Sequence, residues 1–199
     1  MEGFWNERYG KREYIYGKKP NSFFAEQISL LKPAKLLLPA EGEGRNAVYA
    51  AGLGWEVLAF DFSEAGKRKA EKLAGEKEVS INYQISQVDT FQAEAGSFDA
   101  VALTYAHFLP QLRQDFHQKL VNWLKPGGKV ILEAFHSRQI KLKSGGPKNP
   151  EMLYDQKMLK KDFSALKELL LEEKTIQLSE GKYHEGVANV VRFVGEKID

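Results

Sequence analysis

Between an apolar run at residues 34–38 and a short helical pattern lies the turn Glu41-Gly42-Glu43-Gly44-Arg45-Asn46, and no other segment restricts the fold as much. Two glycines one residue apart let the backbone turn sharply and let a ligand come close to the main chain. The helix that follows offers free N–H groups and a partial positive charge at its N-terminus, an environment that suits a nucleotide or a carboxylate. A strand feeding a helix through such a turn is the first unit of a parallel sheet with helices on both faces. Gly42 to Ala47 also fits the loose G-x-G-x-x-A dinucleotide pattern, and Asp61 lies about 20 residues on, where such folds place a ribose-binding carboxylate. The same residues also read as an ordinary strand-to-helix turn followed by a capping aspartate.

The rest of the chain continues the alternation. Residues 56–60 form a second apolar strand ending at Asp61, and Ser63 can cap a helix whose Ala65, Ala70, Leu73 and Ala74 share one face. A third strand is expected at 80–85 and a fourth at 98–104. Leu112, Phe116, Leu120 and Leu124 then recur every four residues as an amphipathic helix, which Lys125-Pro126-Gly127-Gly128 stops before a fifth strand at 129–135. Leu159, Phe163, Leu166 and Leu170 mark a late helix. Residues 175–179 and 188–194 flank a loop, 180–187, short enough to join them as an antiparallel hairpin. The segment 137–148, rich in Lys, Ser and Gly, reads as a loop leaving the carboxyl end of a strand, either a lid over a ligand crevice or a solvated surface loop.

With 199 residues and 43% hydrophobic content, the chain suits a single domain: a leader at 1–33, a core at 34–136, and a loop, helix and hairpin at 137–199. Lys and Arg number 29 against 27 Asp and Glu, a balance that does not point to nucleic acid as a partner. The absence of cysteine removes disulfides, thiolate metal sites and a cysteine nucleophile, and no metal is expected. No run approaches the ~18 apolar residues of a membrane span, so a cytoplasmic protein without a membrane partner is expected.

The strand with E-G-E-G-R-N, the step Phe60-Asp61-Phe62-Ser63, Val88-Asp89-Thr90-Phe91, Ser97-Phe98-Asp99 and Leu124-Lys125-Pro126-Gly127-Gly128 together resemble class I S-adenosylmethionine-dependent methyltransferases over residues 34–135. Phe4-Trp5-Asn6-Glu7-Arg8-Tyr9, Tyr16-Gly17 and Pro20-Asn21 resemble, more loosely, the leaders of the thiopurine and tellurite methyltransferase-like subgroup. The resemblance implies a Rossmann-like α/β fold with a doubly wound, seven-stranded, mostly parallel sheet and an antiparallel terminal strand. It also implies S-adenosyl-L-methionine as cofactor. Gly42 and Gly44 would pass under its methionine part, Asp61 would accept from the ribose hydroxyls, and Phe62 would flank the adenine. Asp89 and Thr90 would meet the adenine edge, and Thr104 and Tyr105 the reacting end. In that subgroup the leader covers the cofactor and helps form the acceptor pocket, which makes Trp5 and Tyr9 candidates, since aromatic faces attract a sulfonium. This chain departs from the family where an aspartate commonly ends the first strand and three glycines follow: Leu38, Pro39, Ala40 and Glu41 stand there instead. Glu41 could supply the missing carboxylate near the cofactor's cationic end, or be exposed without a role.

Methyl transfer from a sulfonium is an in-line displacement that needs alignment and dry surroundings more than an enzyme nucleophile. A thiol, amine or soft anion needs little more than positioning, whereas an oxygen acceptor usually needs a base. His107 and His136, each just past a strand, are the candidate bases; His184 reads as a solvated turn residue and His117 as a surface position on a helix. No Asn-Pro-Pro-aromatic or Asp-Pro-Pro-aromatic motif appears, so a small-molecule acceptor is expected over a nucleic-acid base, on a monomer or weak homodimer. A nicotinamide-dependent oxidoreductase, or a protein that binds the nucleoside without turnover, would use the same turn.

Overall fold

The computed structural model describes residues 2–198; Met1, Asp199 and the side chains of Glu2 and Phe4, the first aromatic of the leader, lie outside the described part. Seven strands form: β1 (Lys35–Pro39), β2 (Glu56–Asp61), β3 (Asn82–Ile85), β4 (Phe98–Thr104), β5 (Leu124–Phe135), β6 (Leu166–Ser179) and β7 (Glu185–Lys197). They make one sheet in the order β3-β2-β1-β4-β5-β7-β6. Neighbours from β3 to β5 pair in parallel, and β7 lies antiparallel between β5 and β6. The architecture is thus the expected α/β fold with six strands one way and the last in the chain reversed.

Side-chain alternation along the strands builds a core on each face. On one face Leu37, Val101, Leu103, Val130 and Leu132 pack against Phe116, Leu120 and Trp123 of α5 (Pro110–Trp123) and Leu159 of α6 (Gln156–Asp162). On the other, Leu36, Leu38, Val57, Ala100 and Ile131 meet Ala47 and Ala50 of α3 (Arg45–Gly52) and Ala70 of α4 (Glu64–Glu76). Ser63 caps α4 as its position predicts, accepting from the Gly66 N–H at 3.1 Å.

The leader packs in two places. Phe23, Phe24 and Ile28 of α2 (Ser22–Ser29) strap the second face of the sheet. In α1 (Glu2–Tyr9) and the segment after it, Trp5, Tyr9, Ile15 and Tyr16 instead pack around Ala65 at the start of α4, over the carboxyl ends of the strands.

One expectation is corrected. The late helix is only α6, ending at Asp162, and Leu166 and Leu170 belong to β6. Their spacing mimics a helix, but β6 pairs with β7 from Leu166↔Lys197 to Ser179↔Glu185, and this long ladder outweighs local periodicity. The hairpin is correspondingly longer, and its loop shrinks to the few residues between Ser179 and Glu185.

Candidate active site

Successive strands run outward from β1 toward β3 on one side, and from β4 toward β5 on the other. Between β1 and β4 the loops at the carboxyl ends therefore diverge and leave a crevice, the usual ligand site of such sheets. A cavity of about 470 Å³ opens there. Its lining includes Ala40 and Glu41 after β1, Asp61 and Phe62 at the end of β2, and the stretch Thr104 to Phe108 after β4. Trp5, Tyr9 and Tyr16 of the leader, residues 146–148 of the loop after β5, and His184 of the terminal hairpin close it.

One end is acidic. Asp61 is buried, and its Oδ2 and Oδ1 accept from the backbone N–H groups of Gly42 at 3.1 Å and Ser63 at 2.9 Å. Burial pushes its carboxyl up to about 6 against those hydrogen bonds. Glu41 is half-buried, and its Oε1 accepts from both the Asn46 and the Ala47 N–H, each at 2.8 Å, capping the start of α3. Loss of water around that carboxyl pushes it up to about 7. Glu41 therefore has a definite place, on free N–H groups and in the cavity wall.

The glycine turn forms the floor behind this wall. Gly42 has φ of 62°, and a Cβ there would come within 2.7 Å of the Tyr9 hydroxyl, so only glycine lets the leader lie this close. Its carbonyl accepts from the Tyr83 hydroxyl at 2.6 Å, while Gly44 lies directly against Ala70 of α4. Glu43 plays a part that the sequence did not reveal. Buried, its Oε2 accepts from the Ile15 N–H at 2.7 Å, and its Oε1 pairs with Lys69 at 2.6 Å, tying the leader to the turn.

The other end is aromatic. The Tyr105 ring stacks on Phe135 with centroids 4.6 Å apart, and its hydroxyl donates to Glu133 Oε1 at 2.8 Å. Burial, reinforced by Glu133, holds the Tyr105 hydroxyl well above its usual range, so it stays protonated.

The four histidines fall differently from their expected places. His107 does line the cavity, but its Nδ1 is 2.7 Å from the Met152 carbonyl and its Nε2 accepts from the Phe135 N–H at 3.2 Å. Burial lowers it to about 4, so it is neutral and both nitrogens are engaged, an arrangement that fixes a loop and leaves no lone pair for an acceptor. His136 does not line the cavity. Its Nδ1 accepts from the Arg138 N–H at 3.0 Å to cap a 3₁₀ turn, and its Nε2 lies 3.1 Å from Glu173. His117 is fully buried, with Nδ1 2.9 Å from Asp162, which also pairs with Arg113 at 2.7 Å. His184 is buried in the cavity wall, its ring centroid 4.3 Å from that of Tyr16 and 4.7 Å from that of Tyr105.

Asp89 and Thr90 do not join the other expected residues at the cavity. Both are exposed and outside the cavity lining. Phe91 stacks on Phe60 at 4.0 Å in the core, and the N–H groups of Thr90 and Phe91 both bond the Gln87 carbonyl. This tight turn points Asp89 outward, its carbonyl accepting from Lys119. Of the expected cofactor residues, Trp5, Tyr9, Glu41, Asp61, Phe62, Thr104 and Tyr105 come together at the cavity, whereas Gly42 and Gly44 do not line it: Gly42 lies against Tyr9 and Gly44 against Ala70.

Comparison with known proteins follows the same outline. Residues 39–128 match a family model described as a methyltransferase domain. No curated protein sequence matches the chain significantly. Among solved structures, an enzyme studied for the conversion of a disulfide bond into a thioacetal group in echinomycin biosynthesis superposes with a TM-score of 0.78 at 15% identity, over 99% of this chain and 90% of its own. TehB from Haemophilus influenzae gives 0.73 at 15%, over 98% and 66% of the two chains. An S-adenosylmethionine-dependent methyltransferase from Methanosarcina mazei gives 0.67 at 15%, over 91% and 100%. At such identities the structural likeness speaks for the fold, and the domain match speaks for methyl transfer. No helix among the described residues is long and apolar enough to cross a membrane.

Proposed function

With a methyltransferase domain at residues 39–128 and S-adenosylmethionine as its cofactor, we propose that this enzyme methylates a small molecule held at the aromatic end of the cavity. The observation that carries the reading is the polarity of that cavity, with the carboxyls of Glu41, Glu43 and Asp61 on one side and the stacked rings of Tyr105 and Phe135 on the other. In this reading Asp61 accepts from the ribose hydroxyls, with Phe62 beside the adenine, Glu41 faces the cofactor's ammonium group, and Trp5 and Tyr9 cover it. Gly42 steadies Asp61 through its N–H, and Thr104 and Tyr105 edge the reacting end. The bound cofactor supplies an electrophilic methyl group; the chain's residues bind, orient and keep water out. At about 470 Å³ the space lies within the range of small-ligand sites, and the leader roofs it against a polymer. Thiol, amine, carboxylate and tellurite-like oxyanion acceptors all fit this frame, and the aromatic leader over the crevice favours the thiopurine and tellurite type of enzyme.

The test is thermal. S-adenosylhomocysteine at a hundredfold excess over its dissociation constant should stabilise the protein by about 2.7 kcal/mol and raise its melting temperature, while NADH leaves it unchanged. A shift with NADH alone would move the reading to a nicotinamide oxidoreductase. A shift with S-adenosylhomocysteine but no labelled methyl on any small acceptor would leave a nucleoside-binding protein.

A further inference from the structure

His184 has a setting that a turn residue does not need. It sits in the tight loop between β6 and β7, closed by the Glu180 N–H on the His184 carbonyl and the His184 N–H on the Gly181 carbonyl. Yet its ring is 5% exposed and enclosed by Tyr16, Tyr105 and Phe135. The loop after β5 presses on it closely, since a Cβ at Gly145 would come within 2.7 Å of the His184 Cδ2. Among the described residues no hydrogen bond engages Nε2. Nδ1 is sealed from solvent and lies 3.5 Å from Glu180 Oε2. Glu180 is itself fixed, by Arg45 at 2.9 Å and by the Asn21 amide at 3.2 Å. A carboxylate facing Nδ1 holds the proton on that nitrogen, which leaves the Nε2 lone pair on the far side of the ring, toward the cavity that His184 lines. A base oriented by a fixed carboxylate is the arrangement that proton abstraction requires.

Resting on the methyltransferase reading above, we propose that His184, oriented by Glu180, is a general base that adds to the soft acceptors named there a further class, a hydroxyl on a flat aromatic body. The rings of Tyr105, Phe135 and Tyr16 supply the faces for such a body, and a phenolic hydroxyl is the acceptor that needs a base at neutral pH. In the step, the acceptor oxygen forms its bond to the methyl carbon while its O–H proton passes to His184 Nε2. The electron pair of the broken carbon–sulfur bond stays on sulfur, and the proton leaves to solvent afterwards. Charge balances, because the positive charge lost from the sulfonium appears as that proton. Burial holds the His184 ring below its usual range against the pull of Glu180, with Arg45 and Arg8 also lowering it, so the ring is neutral at pH 7 and ready to accept a proton.

The experiment uses a matched pair of acceptors, 2-naphthol and 2-naphthalenethiol, on the full chain and on His184→Gln. The thiol ionises near neutral pH and needs no base. Replacement should cut kcat for the naphthol by about 10²–10⁴-fold and change that for the thiol by less than about threefold. It should also remove the acidic limb of the naphthol pH profile. Binding of S-adenosylhomocysteine by calorimetry, and of 2-naphthol to the loaded protein by fluorescence, should be unchanged. In His184→Ala, added imidazole should restore naphthol turnover. Equal losses on both acceptors, or a loss of 2-naphthol binding, would make His184 a packing residue and overturn the proposal. No turnover of the naphthol by the unaltered chain, with S-adenosylhomocysteine still bound, would overturn it too and leave the cofactor reading intact. Failure to bind S-adenosylhomocysteine at all would strike that reading itself.

Discussion

Two residues at the crevice hold conformations that their side chains disfavour. Ala40 and Tyr105, each directly after an adjacent strand, have φ of 51° and 52°, in the left-handed region. For a residue with a Cβ this costs about 1–2 kcal/mol, and such strain collects where the chain must present backbone or side chain to a ligand. At Ala40 the family that the turn resembles commonly carries glycine, so the departure visible in the sequence takes physical form as strain. Ala40→Gly should relieve it, less about 0.4–1 kcal/mol for the greater freedom of the unfolded chain, for a net gain of about 0.5–1 kcal/mol in urea unfolding. No gain would mean that the turn imposes no strain at Ala40. Residues such as Asp61 and Glu41 were legible beforehand because a strand end beside a glycine turn fixes their position locally. His184 was not, because its burial depends on Tyr16 and Gly145, which approach it only in the folded chain.

Among the elements, the leader is the one whose docking governs the site. Three of its anchors are Glu43 on the Ile15 N–H, the Arg45 guanidinium on the Tyr16 carbonyl, and the Asn46 side chain on the Asn21 N–H. All three donors or acceptors come from the turn and first residues of α3, so the segment proposed to hold the cofactor also anchors the part of the leader that walls the cavity. Glu43→Ala would leave a buried N–H and the Lys69 ammonium without their partner, and it should cost about 2–3 kcal/mol. The loss should show as faster proteolysis between Gly10 and Pro20, with the sheet still folded by circular dichroism. Unchanged cleavage would mean that the aromatic contacts of Trp5 and Tyr9 alone hold the leader. From sequence, nothing in this segment separates the part that packs on the sheet from the part that lines the cavity; α2 does the first and α1 the second. The late helix was misread for a related reason: Leu159, Phe163, Leu166 and Leu170 keep helical spacing across a boundary that only the pairing of β6 with β7 creates.

Across the whole molecule, buried titratable groups pull in opposite directions as pH changes. Glu41 and Asp61 are raised to about 7 and about 6 from 4.5 and 3.8, so the folded chain holds their protons more tightly than the unfolded one. Their contribution to stability is present at low pH and is lost as pH rises through the folded values. His107 is lowered to about 4 from 6.5, so the unfolded chain takes a proton that the folded chain refuses, and stability is lost as pH falls from 6.5 toward 4. The two trends oppose each other between pH 4 and 7, and the free protein should show a shallow stability profile there. The bound protein should not. In the proposed pose, ribose hydroxyls at Asp61 and an ammonium group at Glu41 favour ionised carboxylates, so binding should lower these two pKa values and expel protons. Each unit of lowering is worth about 1.4 kcal/mol, or tenfold in affinity. S-adenosylhomocysteine should therefore bind at least about tenfold more tightly at pH 8 than at pH 5, with proton release read from calorimetry in buffers of different ionisation enthalpy. Asp61→Asn should remove its share of that slope, and Glu41→Gln the rest, while the amide oxygen of Gln still caps α3. An affinity independent of pH would place the ribose and the ammonium away from both carboxyls and would reverse the orientation of the cofactor in the cavity.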